Sequence, residues 1–328
     1  MTAAGTPATG TGADGPPRPE VPTRLLVHAL VREDGTVDAA ELYGVAVLLG
    51  MTDQQVRLCV RRLVADGRFT QEGRGRKAVL RAVADPTGAL APDAAYVHHA
   101  YRQDAGHAPW DGVWHLFAFA VPEARRTTRD ALRDTLLHLG AAPLQGGLYV
   151  TANDVADIVE AHARRLGVLD SLTFLTSTDL RVGTLTDPAA LAAGLWPLED
   201  VAARYERLTA FAQHCLARLD APAGGDGTDS AASAGRLAMA VELAAEFTRA
   251  IDPDPLLPPE LLPQPWPGAH ARRLTADCWH RLRGTDTDGP AGLRLFRLYG
   301  DALGRLTPGS AAPRGAGGRP AGGPAACP

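Results

Sequence analysis

The chain has 328 residues, 45% of them apolar, which is enough for two or three domains with sizeable cores. Its net charge of −4 gives by itself no evidence for binding to nucleic acid. No run of about 18 consecutive apolar residues occurs and the amino terminus lacks a secretory pattern, so we expect neither a membrane span nor export. Four widely spaced cysteines form no CxxC pair, which argues against a zinc site or a disulfide framework and favours the cytoplasm.

Both ends of the chain are rich in small residues, glycine and proline. Residues 1–22 and 306–328 contain almost no bulky apolar side chains. Such segments cannot bury enough surface to offset the entropy that is lost on ordering. We therefore predict two disordered tails that flank the folded part of the chain.

The first folded segment, residues 23–84, has the pattern of three helices followed by a hairpin. Asp38 is the expected N-cap of the second helix, and Thr52-x-x-Gln55 is a capping box that begins the third. Two short strand-like runs then flank Gly73–Lys77, whose two glycines permit a tight turn. This order predicts a winged helix-turn-helix.

The third helix has one apolar stripe, at the spacing i, i+3, i+4, i+7 and i+8, and one polar face. Residues 52–83 carry eight basic and three acidic side chains, a local net charge of +5. A solvated helix face is the alternative interpretation of this pattern. We predict that duplex DNA is contacted by Gln54, Arg57, Arg61, Arg62, Arg74, Arg76 and Lys77.

A linker and a mixed segment come next. Residues 85–109 are predicted to be a linker with some helical content, and in residues 110–182 three strand-like runs alternate with two amphipathic helices. This alternation predicts a small α+β sandwich of ferredoxin-like type. We expect one face of its sheet to be open and to serve as a dimer surface.

The last folded segment, residues 183–305, has a helical pattern. Long helices are predicted over 198–219, 237–251 and about 269–283, with another around 293–306 and a flexible insertion at 221–233. The stretch Asp254–Pro263 contains too many prolines for an ordinary helix. The whole chain is thus predicted to be an α+β multidomain protein with a helical carboxyl-terminal domain.

Four stretches of this sequence resemble the PaaX family, regulators that act as repressors of phenylacetate catabolism. Two of them, in the third helix and the basic turn, would fit many winged-helix proteins. The two specific ones are Trp110-Asp111-Gly112-x-Trp114 leading into Val121-Pro122-Glu123, and Asp254–Pro263 followed by Trp266-Pro267-Gly268. The resemblance covers about residues 23–283. It implies a winged-helix amino terminus, a central domain similar to the Cas2 fold, a helical carboxyl-terminal domain, a homodimer, and an aryl-acetyl-CoA or related acyl-CoA inducer. Because a dimer would place two third helices one or more duplex turns apart, we expect a palindromic operator.

Aromatic and cationic side chains near the two specific stretches are candidates for holding such an effector, because guanidinium groups suit CoA phosphates. These candidates are Trp110, Trp114, Arg249, Trp266, Arg272 and Arg273. For the two tryptophans of the first stretch, anchoring a strand against a neighbouring domain is the favoured alternative. The proline-rich stretch is equally explained as a rigid connector.

The sequence gives little support for catalysis or metal binding. It contains no GxSxG, P-loop or HExxH motif, and the histidines at 98, 99, 107 and 115 lack the spacing of a metal site. We therefore expect no enzyme activity, no metal and no cofactor. The second hypothesis is a metal-dependent nuclease built on the central domain, for which Glu123 is the one acidic candidate. A third is a protein-interaction adaptor without affinity for DNA.

Overall fold

A computed structural model describes residues 16–83, 94–221 and 229–283, together with Leu293 and Leu295. Of the segments predicted to be disordered, residues 1–15, 222–228 and 306–328 lie outside the described residues, and so does nearly all of the helix predicted around 293–306.

The amino-terminal segment consists of three helices and a small antiparallel sheet. Its elements are α1 (Thr23–Ala29), β1 (Thr36–Asp38), α2 (Ala39–Leu48), α3 (Asp53–Ala65), β2 (Phe69–Glu72) and β3 (Val79–Ala82), with strand order β1-β3-β2. The predicted caps are confirmed, since Asp38 accepts a hydrogen bond from the backbone N–H of Glu41 and Thr52 forms a capping box with Gln55. Strand β1 was not predicted because three residues are too few for a period of two to be recognised.

A further helix, α4 (Ala94–Asp104), lies within the stretch predicted to be a linker. Its residues Val97, Ala100 and Tyr101 are buried in the same apolar core as α1 and α2. This helix is therefore part of the packed protein, because the side chains that it buries belong to the main core.

The central segment has the element order βαββαβ. It consists of β4 (Trp114–Phe119), α5 (Arg126–His138), β5 (Ala142–Gln145), β6 (Leu148–Thr151), α6 (Ala156–Leu166) and β7 (Leu172–Ser177). The four strands are antiparallel in the order β5-β6-β4-β7, which is the ferredoxin-like arrangement. Strand β5 was not predicted, because it contains Pro143. In the structure its register shifts between Pro143 and Gln145, and both features are typical of an edge strand.

The prediction of one open sheet face is wrong, because both faces are covered except along the edge strand β7. Helices α5 and α6 pack on one face through Leu132, Leu136 and Val159. On the other face, Trp114 and Leu116 pack against a second cluster, which includes Leu191, Trp196, Leu257 and Leu261. The covering residues come from segments that follow the sheet in sequence, so the local pattern of the strands could not reveal them.

In residues 188–283, the carboxyl-terminal segment consists in the described ranges of the helices α7 (Pro188–Leu195), α8 (Leu198–Asp220), α9 (Asp229–Ile251) and α10 (Pro267–Arg283). Helix α7 was missed, although Asp187 caps it and Pro188 stands at its first position, which are both start signals. Helix α9 begins within the predicted flexible insertion. Among the described residues, no helix is long and apolar enough to cross a lipid bilayer.

Helix α9 connects the two ends of the chain. It packs against α1 and α2 of the amino-terminal segment as well as against α8 and α10. One continuous apolar core contains Leu26 and Leu42 from the first segment and Leu243 and Phe247 from α9. A polar contact supports this packing, because Arg18 donates from its Nη1 to the carbonyl of Leu48 at 3.1 Å and its Nε lies 3.7 Å from the carboxylate of Glu242 in α9. The amino-terminal segment is thus joined to the helices by a shared core.

His28 is a buried histidine in this core. It is 3% exposed, its ring lies 5.3 Å from that of Phe69, and neither ring nitrogen has a hydrogen-bond partner among the described residues. Burial, and to a smaller extent the charges of Arg24 and Arg68, lower its pKa from 6.5 to about 4. The folded protein therefore holds this ring in its neutral form.

We predict that His28 makes the fold sensitive to mild acid. In the unfolded chain His28 is protonated below about pH 6.5, whereas in the folded chain it stays neutral down to about pH 4. The free energy of unfolding therefore falls as the pH drops from 6.5 to 4. Between pH 7 and pH 5 this loss amounts to about 2 kcal/mol. Urea unfolding of wild type and His28→Phe at both pH values measures this loss, as the amount by which the unfolding free energy of wild type falls more than that of the variant. Parallel pH dependences of the two proteins would contradict the prediction.

Candidate nucleic-acid interface

Helix α3 divides its side chains between the core and solvent. Val56, Val60 and Leu63 are buried. The opposite face is exposed and carries Gln54, Arg57, Leu58, Arg61 and Arg62. The capping box fixes the start of the helix, and the buried stripe fixes its rotation, so this face is held toward solvent by the local sequence.

A groove with a volume of about 240 Å³ lies between α2, α3 and the turn that joins β2 to β3. Three cationic side chains line it, Arg57 and Arg61 from α3 and Arg74 from the turn. Apolar side chains that include Leu42, Val60 and Leu80 form much of the remaining wall. Folding thus brings together arginines that are up to 17 residues apart in the sequence.

The cations of this region differ in whether they are neutralised. Arg76 lies 3.7 Å from Asp53 and 5.9 Å from the centre of the Tyr43 ring. Within the described part of the chain, no ion pair involves the other predicted contacts, which are Arg57, Arg61, Arg62, Arg74 and Lys77. Their positive charge is therefore available to an anion from outside the protein.

Two groove residues were not predicted from the sequence. Tyr43 from α2 and Gln71 from β2 line the same groove as the three arginines. Gln71 also donates from its Nε2 to the carbonyl of Gly73 at 3.2 Å, which braces the start of the turn. The sequence around each residue does not indicate this position, because only the packing of α2 and the hairpin against α3 places Tyr43 and Gln71 in the groove.

The tryptophans of the first specific stretch lie in an aromatic cluster. The ring of Trp114 is 5.3 Å from that of Trp110 and is stacked at 6.2 Å on Trp196. Trp114 is almost fully buried, and the Nε1 of Trp110 donates to the carbonyl of Val113 at 3.2 Å. This packing favours the anchoring role of the two residues.

Arg272 is buried, with 4% of its side chain exposed, and binds groups of its own chain. It forms a bidentate pair with Asp104, with distances of 2.7 Å from Nε and 2.6 Å from Nη2. Its Nη1 donates to the Oη of Tyr205 at 2.6 Å, and that hydroxyl donates to the Oδ2 of Asp254 at 2.5 Å. Burial raises the pKa of Tyr205 well above 10, so the phenol stays a donor. We call these four residues the Arg272 cluster.

The segment that follows α9 joins the Arg272 cluster to the central sheet. Asp254 accepts from the backbone N–H of Leu256 at 2.9 Å, and Leu256 has a positive φ of 49°. The carbonyl of Leu256 accepts from Gln103 at 2.8 Å and from Asn153 at 2.9 Å. Gly140 allows the close approach of the same segment, since a Cβ there would lie 2.5 Å from the carbonyl oxygen of Pro255.

The remaining effector candidates have different surroundings. Arg249 pairs with Glu246 and donates to the carbonyl of Glu20 at 2.7 Å. Arg273 is exposed, with its Nη2 2.8 Å from the Nδ1 of His270. Trp266 is half-buried, edge-on to Tyr205 at 6.3 Å. Trp266 packs in the same apolar cluster as Trp110 and Trp114, whereas Arg272 is paired with aspartates of its own chain. The role of the six residues in binding an effector stays a prediction.

Glu123, the acidic candidate for a nuclease, and His99 of α4 have partners of their own. Glu123 accepts from the Nη1 of Arg129 at 2.6 Å, and the Nε2 of His99 lies 3.2 Å from the Oδ1 of Asn153. No group of three or more histidine, cysteine, aspartate or glutamate residues in the described ranges could hold a metal ion. No observation on these residues therefore favours the nuclease hypothesis.

Comparisons with known sequences identify two of the domains. Residues 107–192 match the PaaX protein central Cas2-like domain, and residues 196–288 match the PaaX-like protein C-terminal domain. Domains of these kinds fit a transcriptional regulator of the phenylacetic acid pathway. The chain belongs to the PaaX family.

Among solved structures, the uncharacterized protein Rv0674 from Mycobacterium tuberculosis is similar, with 23% sequence identity and a TM-score of 0.43. The match covers 79% of this chain and 94% of that chain. No curated protein matches the sequence.

We predict that Arg272 is essential for stability. Arg272→Ala leaves the buried Asp254 and the partly buried Asp104 without their cation, which is expected to cost about 3–5 kcal/mol of unfolding free energy. Arg273→Ala, one position further on the same helix, removes an exposed arginine and should change stability by less than about 0.5 kcal/mol. Urea unfolding of both variants provides the measurement. Equal stabilities would show that the cluster does not support the fold.

Proposed function

We propose that this protein is a transcription regulator that binds duplex DNA with residues 23–83 folded as a winged helix-turn-helix. The observation that carries the proposal is the row of exposed arginines on α3, which face solvent and form no ion pair with a described carboxylate, beside a hairpin turn that is also basic. Helices α1–α3 followed by the β2–β3 hairpin have the order of a winged helix, in which the third helix enters the major groove.

The proposed contacts are divided between bases and backbone. Gln54, Arg57, Arg61 and Arg62 of α3 would meet the major groove, where arginine suits guanine and glutamine suits adenine. Arg74, Arg76 and Lys77 of the turn would meet the phosphate backbone or the minor groove. The groove lined by Arg57, Arg61 and Arg74 supports this division, because it lies where α3 and the turn meet.

We further propose that the protein acts as a homodimer on a palindromic operator, with its two α3 helices about 34 Å or a multiple apart. Strand β7 is an edge strand whose Phe174 and Leu175 are 39% and 47% exposed on opposite faces. The strand contains no charged residue, proline or glycine, the usual means of protecting an edge. Antiparallel pairing with β7 of a second copy would cover this edge of the sheet, and the resulting dimer would have two-fold symmetry.

The proposed regulation is repression that is released by an aryl-acetyl-CoA or a related acyl-CoA. Helix α9 packs on both α2 and α10, so a ligand that shifts the carboxyl-terminal helices would also move α3. Such a ligand changes DNA affinity only by the difference between its affinities for the two arrangements. Because the carboxyl-terminal helices share one core with the DNA-binding segment, a small shift of these helices would change the position of α3 and would not be lost in a flexible linker.

We expect sequence-specific, salt-sensitive binding to the DNA upstream of the protein's own gene. Arg61→Ala should cost about 1–3 kcal/mol on this DNA and relax the preference at one base pair. Arg76→Ala should weaken binding to all sequences and reduce the slope of log affinity against log salt by about 1. Fluorescence anisotropy titrations over a range of salt concentrations, with scrambled DNA for comparison, measure both effects.

The control is Arg133→Ala, which removes an exposed arginine from α5, outside the proposed interface. It should bind like the wild type. Wild-type behaviour of all three variants on both DNAs would disprove the proposed interface, and equal affinity for native and scrambled DNA would disprove a specific regulator. Protection of two half-sites in a footprint is expected for the dimer, whereas one protected site would contradict it.

We expect aryl-acetyl-CoA esters to release the protein from its operator. Addition of phenylacetyl-CoA to the complex should lower the anisotropy in a saturable way, whereas free CoA and phenylacetate, each lacking half of the ligand, should not. Arg273→Ala should raise the concentration needed for half release, because an exposed cation suited to CoA phosphate is lost. Complexes that are unaffected by any acyl-CoA would contradict this mode of regulation.

A further inference from the structure

Leu58 is an exposed apolar side chain in the middle of the polar face of α3. It is 45% exposed. At helical spacing its neighbours on this face are Gln54, one turn before it, and Arg61 and Arg62, one turn after it. A large aliphatic side chain surrounded by cations and an amide keeps apolar surface in water, which is unfavourable for the isolated protein.

Leu58 has no structural role that explains this exposure. The side chains that α3 contributes to the core lie on the opposite side, and Leu58 is absent both from the buried core and from the apolar residues packed against it. It is also absent from the lining of the groove between α3 and the hairpin turn. Its apolar surface is therefore available to a molecule that approaches α3 from outside.

The major groove of DNA offers one apolar group on the edges of its bases, the C5 methyl of thymine. We propose that Leu58 contacts a thymine methyl and is a specificity-determining residue of the operator complex. This inference rests on the proposed function, because it requires α3 to lie in the major groove. Gln54, on the same row of α3, suits adenine, so the two side chains together select A·T pairs.

The test removes the methyl group from the DNA and the leucine from the protein, separately and together. Thymines in the footprinted operator are replaced one at a time by deoxyuridine, which differs only in lacking the C5 methyl. For wild type, at least one replacement per half-site should lower affinity about fourfold, the value expected for one buried methyl group. Leu58→Ala should bind thymine and uracil at that position equally, which a double-mutant cycle quantifies.

A matched control is Leu137→Ala, which truncates a leucine of similar exposure, 38%, on α5. It should discriminate thymine from uracil as the wild type does. The inference is overturned if no replacement by uracil affects wild type, or if Leu58→Ala still discriminates. It is also overturned if Leu58→Ala weakens operator and scrambled DNA equally, since the leucine then reads no base. Equal binding of the wild type to operator and scrambled DNA is a different result, which removes the proposed function itself.

Discussion

The buried charge of Arg272 is the constraint on which the arrangement of the domains depends. A guanidinium that is taken out of water must be surrounded by anions and acceptors, and here they come from separate parts of the chain: Asp104 ends α4, Tyr205 lies in α8, and Asp254 follows α9. The same segment continues to Leu256, whose carbonyl accepts from Asn153, two residues after the inner strand β6 of the central sheet. One polar cluster thus fixes the helices relative to the sheet with directional bonds, whereas the surrounding apolar contacts only require that the surfaces be covered.

The amino-terminal segment, which we propose binds DNA, is attached to this body by a different kind of contact. Its helices α1 and α2 share an apolar core with α9, and the chain before α1 adds Arg18, which reaches both Leu48 and Glu242. A packed core has discrete arrangements and does not deform continuously. A regulator built in this way can transmit a ligand signal to α3 by repacking, and the proposed release by an acyl-CoA requires such a change.

Arginine serves two opposite purposes in this protein, and only its partners distinguish them. Arg272 has its donors engaged by carboxylates and a phenol, and Arg249 is held by Glu246 and a backbone carbonyl. Arg57, Arg61 and Arg74 line a groove in the described structure without a carboxylate within ion-pair distance. The first kind stabilises the fold, and the second kind leaves charge for an anion outside. A chain with a net charge of −4 can therefore present a locally basic face toward DNA.

The sequence by itself determined the features that depend on neighbouring residues. The caps at Asp38 and Thr52, the buried stripe of α3 and the basic turn could be recognised because helix periodicity and capping act over a few residues. Tertiary structure alone decided the short strands β1 and β5, the covering of both sheet faces, and the groove to which Tyr43 and Gln71 contribute. It also decided that Arg272, which was predicted from the sequence to bind an effector, is paired within the fold, since its partner Asp104 lies 168 positions away. Ion pairs and strand pairing over such separations are set by the packing of whole elements, which leaves no mark on the local pattern.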